Sequence, residues 1–383
     1  MIRTQSSQVV TTRQDGTGIR WMGQLGHVNQ LKYSFVMPGG CEAASWLLNR
    51  PPTYRSDAMD PGRLVKIYRG AGSVWKGTLD EPVPGAQGWT MTAHGSGTYG
   101  TNIMCNSEQW VDDADAGIAT DPDIPLNLAI ADGLKWKNPG ITAKVFMNMT
   151  APDPFSQTMT DYMNGLTVQA ALLWYVDRLT DVVNIISYPT TVSRLITSTE
   201  PLARTLVANV NKLILKYQSG AGSINNTIYG YTSVENAQSV AKYGPLEETL
   251  DLTPAAAVVA AGTGGAAPAY VAMTELQAQK IGAAVLTYYQ SISYTNAINV
   301  RPGQLMTKGG TPIDVGTDQA GTLARLLAID SGYGGEVTPG PVQFIVGRYE
   351  YDDDTFTAAI TPLQSYRNDI ASLLAVMVPS VRQ

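Results

Sequence analysis

The chain has few side chains of the kinds that act as nucleophiles or bind metals: two cysteines and two histidines in 383 residues. A cysteine at a helix start has a lowered pKa, and a histidine on a following strand can accept its proton. Cys41 and His94 are therefore the candidate nucleophile and base. Cys41, however, leads into a run of small residues, as a packed side chain does. The neighbours of His94, Ala93 and Gly95, offer no polar group to orient its ring. The sequence therefore favours buried free thiols at Cys41 and Cys105.

Other catalytic and cofactor motifs are incomplete. With only His27 and His94 in the chain, the H-E-x-x-H pattern of zinc peptidases does not occur. The Gly-Ser-Gly sequence at 95–97 lacks the spacing of a nucleophile elbow. The glycine-rich stretch 262–265 lacks the Lys-Ser/Thr of a phosphate-binding loop. We predict no catalytic, cofactor-binding or metal site.

Acidic residues cluster in two places. The first cluster comprises Asp112, Asp113, Asp115, Asp121 and Asp123. A calcium loop needs carboxylates at alternate positions before a glycine, and counting back from Gly117 places Ala114 and Ala116 there, so we interpret this segment as a solvated linker. The second cluster, residues 352–354, could mimic a paired-carboxylate site. We interpret it as the charged tip of a hairpin.

Composition limits the class of protein. With 37 glycines, 22 prolines and 44% hydrophobic residues, the chain is typical of a turn-rich, mainly β protein of several compact units. A net charge of −6 gives no support for nucleic-acid recognition. The start of the chain is polar rather than a signal peptide, which favours folding in a reducing cytoplasm. No stretch reaches membrane-spanning length. Residues 255–269 are apolar but interrupted by glycines, and we predict a mobile loop there.

The stretch 60–97 predicts a β-meander. Residues 64–69 alternate between two faces, and the glycines at 70 and 72 make a tight reversal into a second strand. Gly77 inside that strand marks a bulge or a close approach of backbones. A third strand begins at Gly88. Such glycine and aromatic punctuation suits a small, curved barrel.

The rest of the chain predicts helices between further strands. Helical patterns are found at 41–49, 125–134, 167–178, 273–289 and 363–376. Strand patterns are found at 182–186, 194–197, 206–217, 226–232, 304–306, 311–315 and 342–350. We therefore predict a mainly β (α+β) fold.

The aromatic residues are mostly tyrosine and tryptophan, which suit interfaces because their rings are amphipathic. Trp46, Trp75 and Trp89 are predicted to fill barrel cores. Tyr288–Tyr289 and the tyrosines at 349–351 are predicted to place rings on both faces of their elements, as an interface would.

The order of several pieces in the first quarter of the chain resembles the first barrel domain of phage tail hub proteins, which are tail-tip proteins. The pieces are a small-residue helix expected at 39–48, the prolines at 51–52, Gly62 with Val65 and Ile67, Val74–Trp75–Lys76–Gly77, and Gly88–Trp89. Beyond residue 100 the resemblance is one of general layout.

The resemblance implies two tube-forming β-barrel domains at the N- and C-terminal ends, with helix-containing insertion domains between them. The corresponding domains are 1–100 (N-terminal barrel), 101–200 (helix and strands), 201–300 (strands, loop and helix) and 301–383 (C-terminal barrel with a terminal helix). It further implies a homotrimeric ring in the virion that contacts a distal tail protein, a tape measure protein and tail fibre or spike proteins.

Two other functions remain open at this point. A tail-associated peptidoglycan hydrolase would use Cys41 and His94 on the cell wall. A receptor-binding tail protein would recognise wall sugars through exposed tyrosines and tryptophans. The resemblance favours a structural subunit that is not an enzyme.

Overall fold

The computed structural model describes most of the chain. The described residues are 6–105, 123–138, 140, 157–169, 172–198, 202, 204–206, 210–219, 228–252, 258–259, 269–270, 274–289, 292–294, 296–330 and 341–363. Residues Met1–Leu202 with Asn296–Leu363 form one compact unit, and Ala203–Thr295 with Gln364–Gln383 form a second. We call these the first and second units and describe each by itself.

The strands in chain order are β1 (Gln8–Thr12), β2 (Arg20–Trp21), β3 (His27–Val36), β4 (Gly39–Asn49), β5 (Leu64–Arg69), β6 (Gly72–Leu79), β7 (Val83–Gly85), β8 (Gly88–Gly95), β9 (Leu172–Val176), β10 (Val183–Ser187), β11 (Arg194–Ile196), β12 (Arg204–Leu206), β13 (Lys212–Gln218), β14 (Tyr229–Glu235), β15 (Glu247–Asp251), β16 (Val258–Val259), β17 (Ala269–Tyr270), β18 (Ile292–Tyr294), β19 (Ile298–Val300), β20 (Leu305–Thr307), β21 (Leu323–Asp330), β22 (Pro341–Asp352) and β23 (Thr357–Pro362).

The helices are α1 (Met22–Leu25), α2 (Asp123–Ala131), α3 (Met159–Gln169), α4 (Ala237–Tyr243) and α5 (Glu275–Tyr289). Short 3-10 turns occur at Asp57–Met59, Ser96–Asn102 and Val315–Thr317. The prediction of a mainly β fold with some helix is confirmed.

A large mixed sheet forms the framework of the first unit. Its main path runs β2-β1-β5-β6-β8-β4-β3-β22-β21-β11-β20, and β7, β9 and β23 pair with strands of that path. β10 pairs with β9, and β19 pairs with β23. The predicted meander is confirmed as β5, β6 and β8. Burial alternates along β5, with Val65, Ile67 and Arg69 buried, as the period of two requires.

The two ends of the chain share this sheet. β22 pairs antiparallel with β3, with Tyr351 opposite Tyr33 and Arg348 opposite Val36. β22 also pairs with β21 and β23, so C-terminal strands continue the N-terminal sheet without a break. Among the described strands the sheet does not close on itself, so the predicted pair of closed barrels is not shown.

A second cluster of buried side chains lies beside the sheet in the first unit. Trp136 and Trp174 pack with ring centroids 5.3 Å apart, and Met159 and Met163 of α3 and Leu126 of α2 join them. The indole of Trp136 donates a hydrogen bond of 2.7 Å to the carbonyl of Ser96. This bond ties the cluster to the turn that follows β8.

The second unit has a small three-stranded sheet of order β14-β13-β15. Helix α5 packs on β13 and β14, where Gly282 allows Leu215 and Val234 to approach the helix. The two-stranded pairs β12–β18 and β16–β17 also lie in this unit. The helix predicted at 273–289 is confirmed as α5.

Two helix predictions are wrong. Residues 41–49 form β4, because both sides of this segment are paired, with β3 and with β8. Residues 167–178 hold the end of α3 and then β9, where Leu173, Trp174 and Val176 are buried and the strand pairs with β10. In both segments strand pairing and burial outweigh a helix-compatible pattern of apolar residues.

Of the remaining secondary-structure predictions, some are confirmed, some are displaced and one is wrong. The helix at 125–134 and the strands at 182–186, 194–197, 304–306 and 342–350 are confirmed within a few residues. The strand predicted at 226–232 is displaced to β14, and the one at 206–217 corresponds to β12 and β13. The strand at 311–315 is wrong, because the Asp314 carboxylate accepts a hydrogen bond of 3.0 Å from Gly316 N and starts a 3-10 turn. The helix at 363–376 and most of the loop at 255–269 lie outside the described residues.

Candidate functional site

Cys41 lies inside a strand rather than at a helix start. It is 1% exposed on β4, on the face that also buries Ala44 and Trp46. Burial raises the pKa of its thiol to about 11. The predicted buried free thiols at Cys41 and Cys105 are confirmed, and burial raises the pKa of Cys105 to about 11 as well.

His94 lies on the other face of the sheet from Cys41. It stands opposite Ala43, which is exposed because the pairing of β3 with β4 shifts register next to it. Its Nδ1 lies 2.6 Å from Oδ1 of Asp80, so the expectation that no polar group orients this ring is wrong. Asp80 follows β6, the strand next to β8, and a register derived from the meander could have revealed the pair. The structure does not bring Cys41 and His94 together.

The face around His94 is a shallow polar groove of about 340 Å³. Its charged side chains pair with one another: Arg348 Nε lies 2.9 Å from Glu42 Oε2, and Lys32 Nζ lies 3.2 Å from Asp352 Oδ2. Such exposed pairs contribute little stability each, about 0–1 kcal/mol. The groove is a solvated, largely charge-balanced face of the sheet.

His27 does not join His94 in a common site. His27 stands opposite Asn49 and His94 opposite Ala43, so six residues of β4 separate them, roughly 20 Å along a strand. Within the described residues, no group of three or more His, Cys, Asp or Glu side chains is placed to hold a metal ion. The glycine-rich stretch 262–265 and the acidic residues 112–121 lie outside the described residues.

The most connected polar cluster surrounds Arg69 at the end of β5. Its side chain is 2% exposed, with Nε 2.6 Å from Asp314 Oδ2 and Nη1 2.9 Å from Asp353 Oδ1. Burial alone lowers the pKa of Arg69, but the hydrogen bond to Asp314 and neighbouring charges outweigh it and raise the pKa. Ser7 Oγ, just before β1, donates a hydrogen bond of 2.7 Å to Asp353. One guanidinium therefore joins segments from both ends of the chain; we call this cluster the Arg69 junction.

Tyrosines form the floor of the Arg69 junction. The Tyr33 hydroxyl donates a hydrogen bond of 2.6 Å to the carbonyl of Gly316, and the Tyr349 hydroxyl donates one of 2.5 Å to the carbonyl of Val315. Tyr351 lies with its ring 5.1 Å from that of Tyr33 and 4.9 Å from the Arg69 guanidinium. Burial raises the pKa of all three tyrosines. All three stay protonated at neutral pH, and the hydroxyls of Tyr33 and Tyr349 hold the 3-10 turn against the sheet.

The prediction that the tyrosines at 349–351 serve an interface is wrong for this unit. Tyr349 and Tyr351 are two residues apart on β22, and both are 0% exposed. The same strand explains why: β22 is covered by β3 and β23 at its sides and by the turn at Val315–Thr317 on the tyrosine face. The side chains of Tyr288–Tyr289 are outside the described residues.

The carboxylates at 352–354 occupy the predicted hairpin tip between β22 and β23. Asp352 accepts a hydrogen bond of 3.0 Å from Asp354 N, Asp353 serves the Arg69 junction, and Asp354 accepts one of 3.0 Å from Gln30 N. Each carboxylate has a structural partner. Sequence reasoning found the tip but not its role, because the partners of Asp353, Ser7 and Arg69, are distant from it in sequence.

The tryptophans predicted to be core residues are confirmed. Trp75 is 0%, Trp46 2% and Trp89 4% exposed. The Trp75 indole donates a hydrogen bond of 3.2 Å to the carbonyl of Ser34, and that of Trp89 donates one of 3.1 Å to the carbonyl of Pro51.

Comparison with solved structures identifies proteins of similar fold. Two phage tail proteins share it. The 43 kDa tail protein of prophage MuSo2 from Shewanella oneidensis is 12% identical, covers 96% of this chain and 98% of its own, and superposes with a TM-score of 0.52. The prophage tail protein gp18 from Listeria monocytogenes EGD-e is 10% identical, covers 98% and 100%, and has a TM-score of 0.50.

No protein-family model and no curated protein sequence matches the chain. At these identities the likeness concerns the fold, and it spans nearly the whole of each chain. Within the described residues, no helix is long and apolar enough to cross a membrane.

Proposed function

We propose that this chain is a structural subunit of a phage tail, placed in the tail-tip or baseplate hub. The observation that carries the proposal is the shared fold with two phage tail proteins along nearly the full length of the chain. The motif order in the first hundred residues, which resembles hub proteins, supports the same assignment.

In this proposal three copies form a ring that closes the tail tube. Each copy contributes an N-terminal and a C-terminal barrel, so the ring has near six-fold symmetry. Within one chain, β3 and β22 place N-terminal and C-terminal strands side by side in one open sheet. An open sheet also leaves edge strands that can pair with a neighbouring chain.

The ring would link a distal tail ring above it to fibres or a spike below, with the tape measure protein in contact with the tube. Its location would be the virion. Its work is geometric, because the polar clusters described above hold segments of the chain together.

We also propose that the chain is not an enzyme. Cys41 is buried on the face of β4 opposite to His94, and burial raises the pKa of its thiol to about 11. A cell-wall hydrolase that uses this pair would need the thiol exposed and ionised. Zymography on peptidoglycan tests the point: no lytic band is expected, and a band that Cys41→Ser abolishes would overturn the proposal.

The structural role is tested by mass and by imaging. Light scattering of the purified chain is expected to give three protomers, and a cryo-electron map of the virion is expected to place three copies at the tail tip. A stable monomer in solution would contradict the proposed trimer but not the proposed location in the tail. A map with this chain elsewhere in the particle, or with none of it, would contradict the hub assignment.

A further inference from the structure

A groove of about 320 Å³ opens at the edge of the first unit's sheet, between β1, β2, α1 and the start of β3. This volume is at the lower end of the range of about 300–1,000 Å³ for small-molecule pockets. Val28 supplies apolar surface, Trp21 supplies an aromatic ring, and Gln8 and Gln24 supply carboxamides. Val9 also borders the groove but is only 2% exposed. The groove adjoins the Arg69 junction through Ser7, which lines the groove and donates its hydroxyl hydrogen bond to Asp353. It shares no lining residue with the groove at His94.

Trp21 presents its ring in a fixed position. β2 is paired with β1, the ring lies 5.9 Å from that of Tyr68, and the next residue, Met22, is fully buried. The residue is nevertheless 38% exposed. An indole that is both held and exposed is a ready-made surface for the flat apolar face of a ligand, and little ordering entropy is lost when a ligand binds it.

The polar groups of the groove are neutral. No charged side chain lines it among the described residues. The carboxamides of Gln8 and Gln24 are exposed and have no hydrogen-bond partner within the described part of the chain. Each offers two donors and one acceptor. A hydroxyl group both donates and accepts, so it can bind to either end of a carboxamide. The ligand that fits is therefore uncharged, rich in hydroxyls and apolar on one face.

We propose that this groove binds a neutral saccharide. The sugar ring stacks on Trp21, and its hydroxyls exchange hydrogen bonds with Gln8 and Gln24. This activity goes beyond the proposed structural role and does not depend on it, because the groove lies within one chain.

The chain supplies a way to block the groove without touching its core. Gly23 lines the groove, and a Cβ added there would meet no atom within 4 Å. A Gly23→Leu side chain therefore has room beside the lining residues and is expected to narrow the groove. Gly72 is a matched control, since a Cβ added there also meets no atom within 4 Å and the residue lies outside the groove.

The experiment uses the purified full-length chain on an array of neutral oligosaccharides built from hexoses and N-acetylhexosamines. Calorimetry with the best-bound glycan then measures affinity. Trp21→Ala and Gly23→Leu are each expected to weaken binding at least tenfold, and Gly72→Leu is expected to leave it unchanged. Thermal melting checks that every variant folds.

Three outcomes would overturn the proposal. They are binding to no neutral glycan on the array, binding that Gly23→Leu leaves intact, and binding confined to charged glycans. If Trp21→Ala does not fold, Gly23→Leu and Gln24→Ala still decide the question. Trimer formation and position at the tail tip are independent readouts, so failure here leaves the structural proposal standing.

Discussion

The guanidinium of Arg69 holds together parts of the chain that are far apart in sequence. It is buried against two carboxylates, those of Asp314 and Asp353, and against the ring of Tyr351. Burying a charged pair costs free energy, and removing one partner costs more because the other charge stays buried and unpaired. Replacing Arg69 therefore measures how much the Arg69 junction contributes to stability.

Arg69→Met is expected to destabilise the first unit by about 3–5 kcal/mol, because it leaves two carboxylates without their cation. Urea unfolding of the purified chain measures the change. Arg348→Met is the control, since its partner pairs are exposed and its loss is expected to cost no more than about 1 kcal/mol. Equal changes in the free energy of unfolding would show that the Arg69 junction contributes no more to stability than an exposed ion pair.

The cysteine thiols give a second test at this scale. Burial raises the pKa of Cys41 and of Cys105 to about 11, so both thiols remain protonated and shielded at pH 8. Ellman's reagent is expected to label neither cysteine in the native protein and both in urea. Rapid labelling of Cys41 in the native state would contradict its burial and reopen the hydrolase hypothesis.

Single residues also show where sequence reasoning stops. The tryptophan core and the hairpin tip at 352–354 follow from residue type and local spacing. The Asp80–His94 pair follows only when the register of the predicted meander is worked out. The Arg69–Asp353 pair does not follow from local sequence, because it depends on which distant strands become neighbours. The alternation rule places Tyr349 and Tyr351 on one face, but only the covering turn at Val315–Thr317 decides that this face is buried.

Among the elements, the meander β5-β6-β8 was the most predictable. Its turns carry glycine, and its strands alternate cleanly, so local signals and tertiary pairing agree. At β4 and β9 they disagree. Runs such as Ala43–Ala44 and Leu172–Leu173 suit a helix as well as a strand, and pairing partners absent from the local sequence decide the outcome.

At Gly77 the backbones of β6 and β8 lie close together, as the glycine inside this strand predicts. A Cβ at this position would overlap the carbonyl oxygen of His94 and the ring of Trp75. Gly77→Ala is therefore expected to separate the strands and cost roughly 1–3 kcal/mol. Gly72→Ala, which enters open space, is expected to stay within about 0.5 kcal/mol. Chemical denaturation compares the two, and equal stability would contradict the close approach.

Trp75 and Trp89 lie on these neighbouring strands and are both buried. Replacing either with Ala removes a large apolar side chain and is expected to cost roughly 3–5 kcal/mol. That is a large share of a typical stability of about 5–15 kcal/mol. If the chain has the tail role proposed above, tails that carry either variant are expected to fail to assemble. Melting of the purified variants and counts of assembled particles measure this. Variants that assemble normally but fail to adsorb to the host would instead show that the two indole rings bind a receptor.

At the scale of the whole molecule, the chain ends are coupled rather than independent. β22 lies between β3 and β21, so an N-terminal strand has a C-terminal strand as its neighbour. The Arg69 junction also holds the two parts together, since Asp314 and Asp353 come from the C-terminal part and Arg69 comes from the N-terminal part. Sequence layout suggested β structure at both ends but could not reveal that the two ends form one sheet, because long-range pairing leaves no local signal.

This coupling predicts how the chain behaves when it is cut. A fragment of residues 1–202 lacks β22, so the hydrogen-bonding groups of β3 that face β22 and the rings of Tyr33 and Phe35 lose their cover. Exposed strand edges of this kind promote aggregation. The fragment is expected to be insoluble or to lack a cooperative melt when it is expressed alone. Co-expression with residues 296–363 is expected to restore a soluble complex, and Arg69→Met in the first fragment is expected to weaken that complex. A fragment 1–202 that melts cooperatively by itself would show that the N-terminal part folds without the shared sheet.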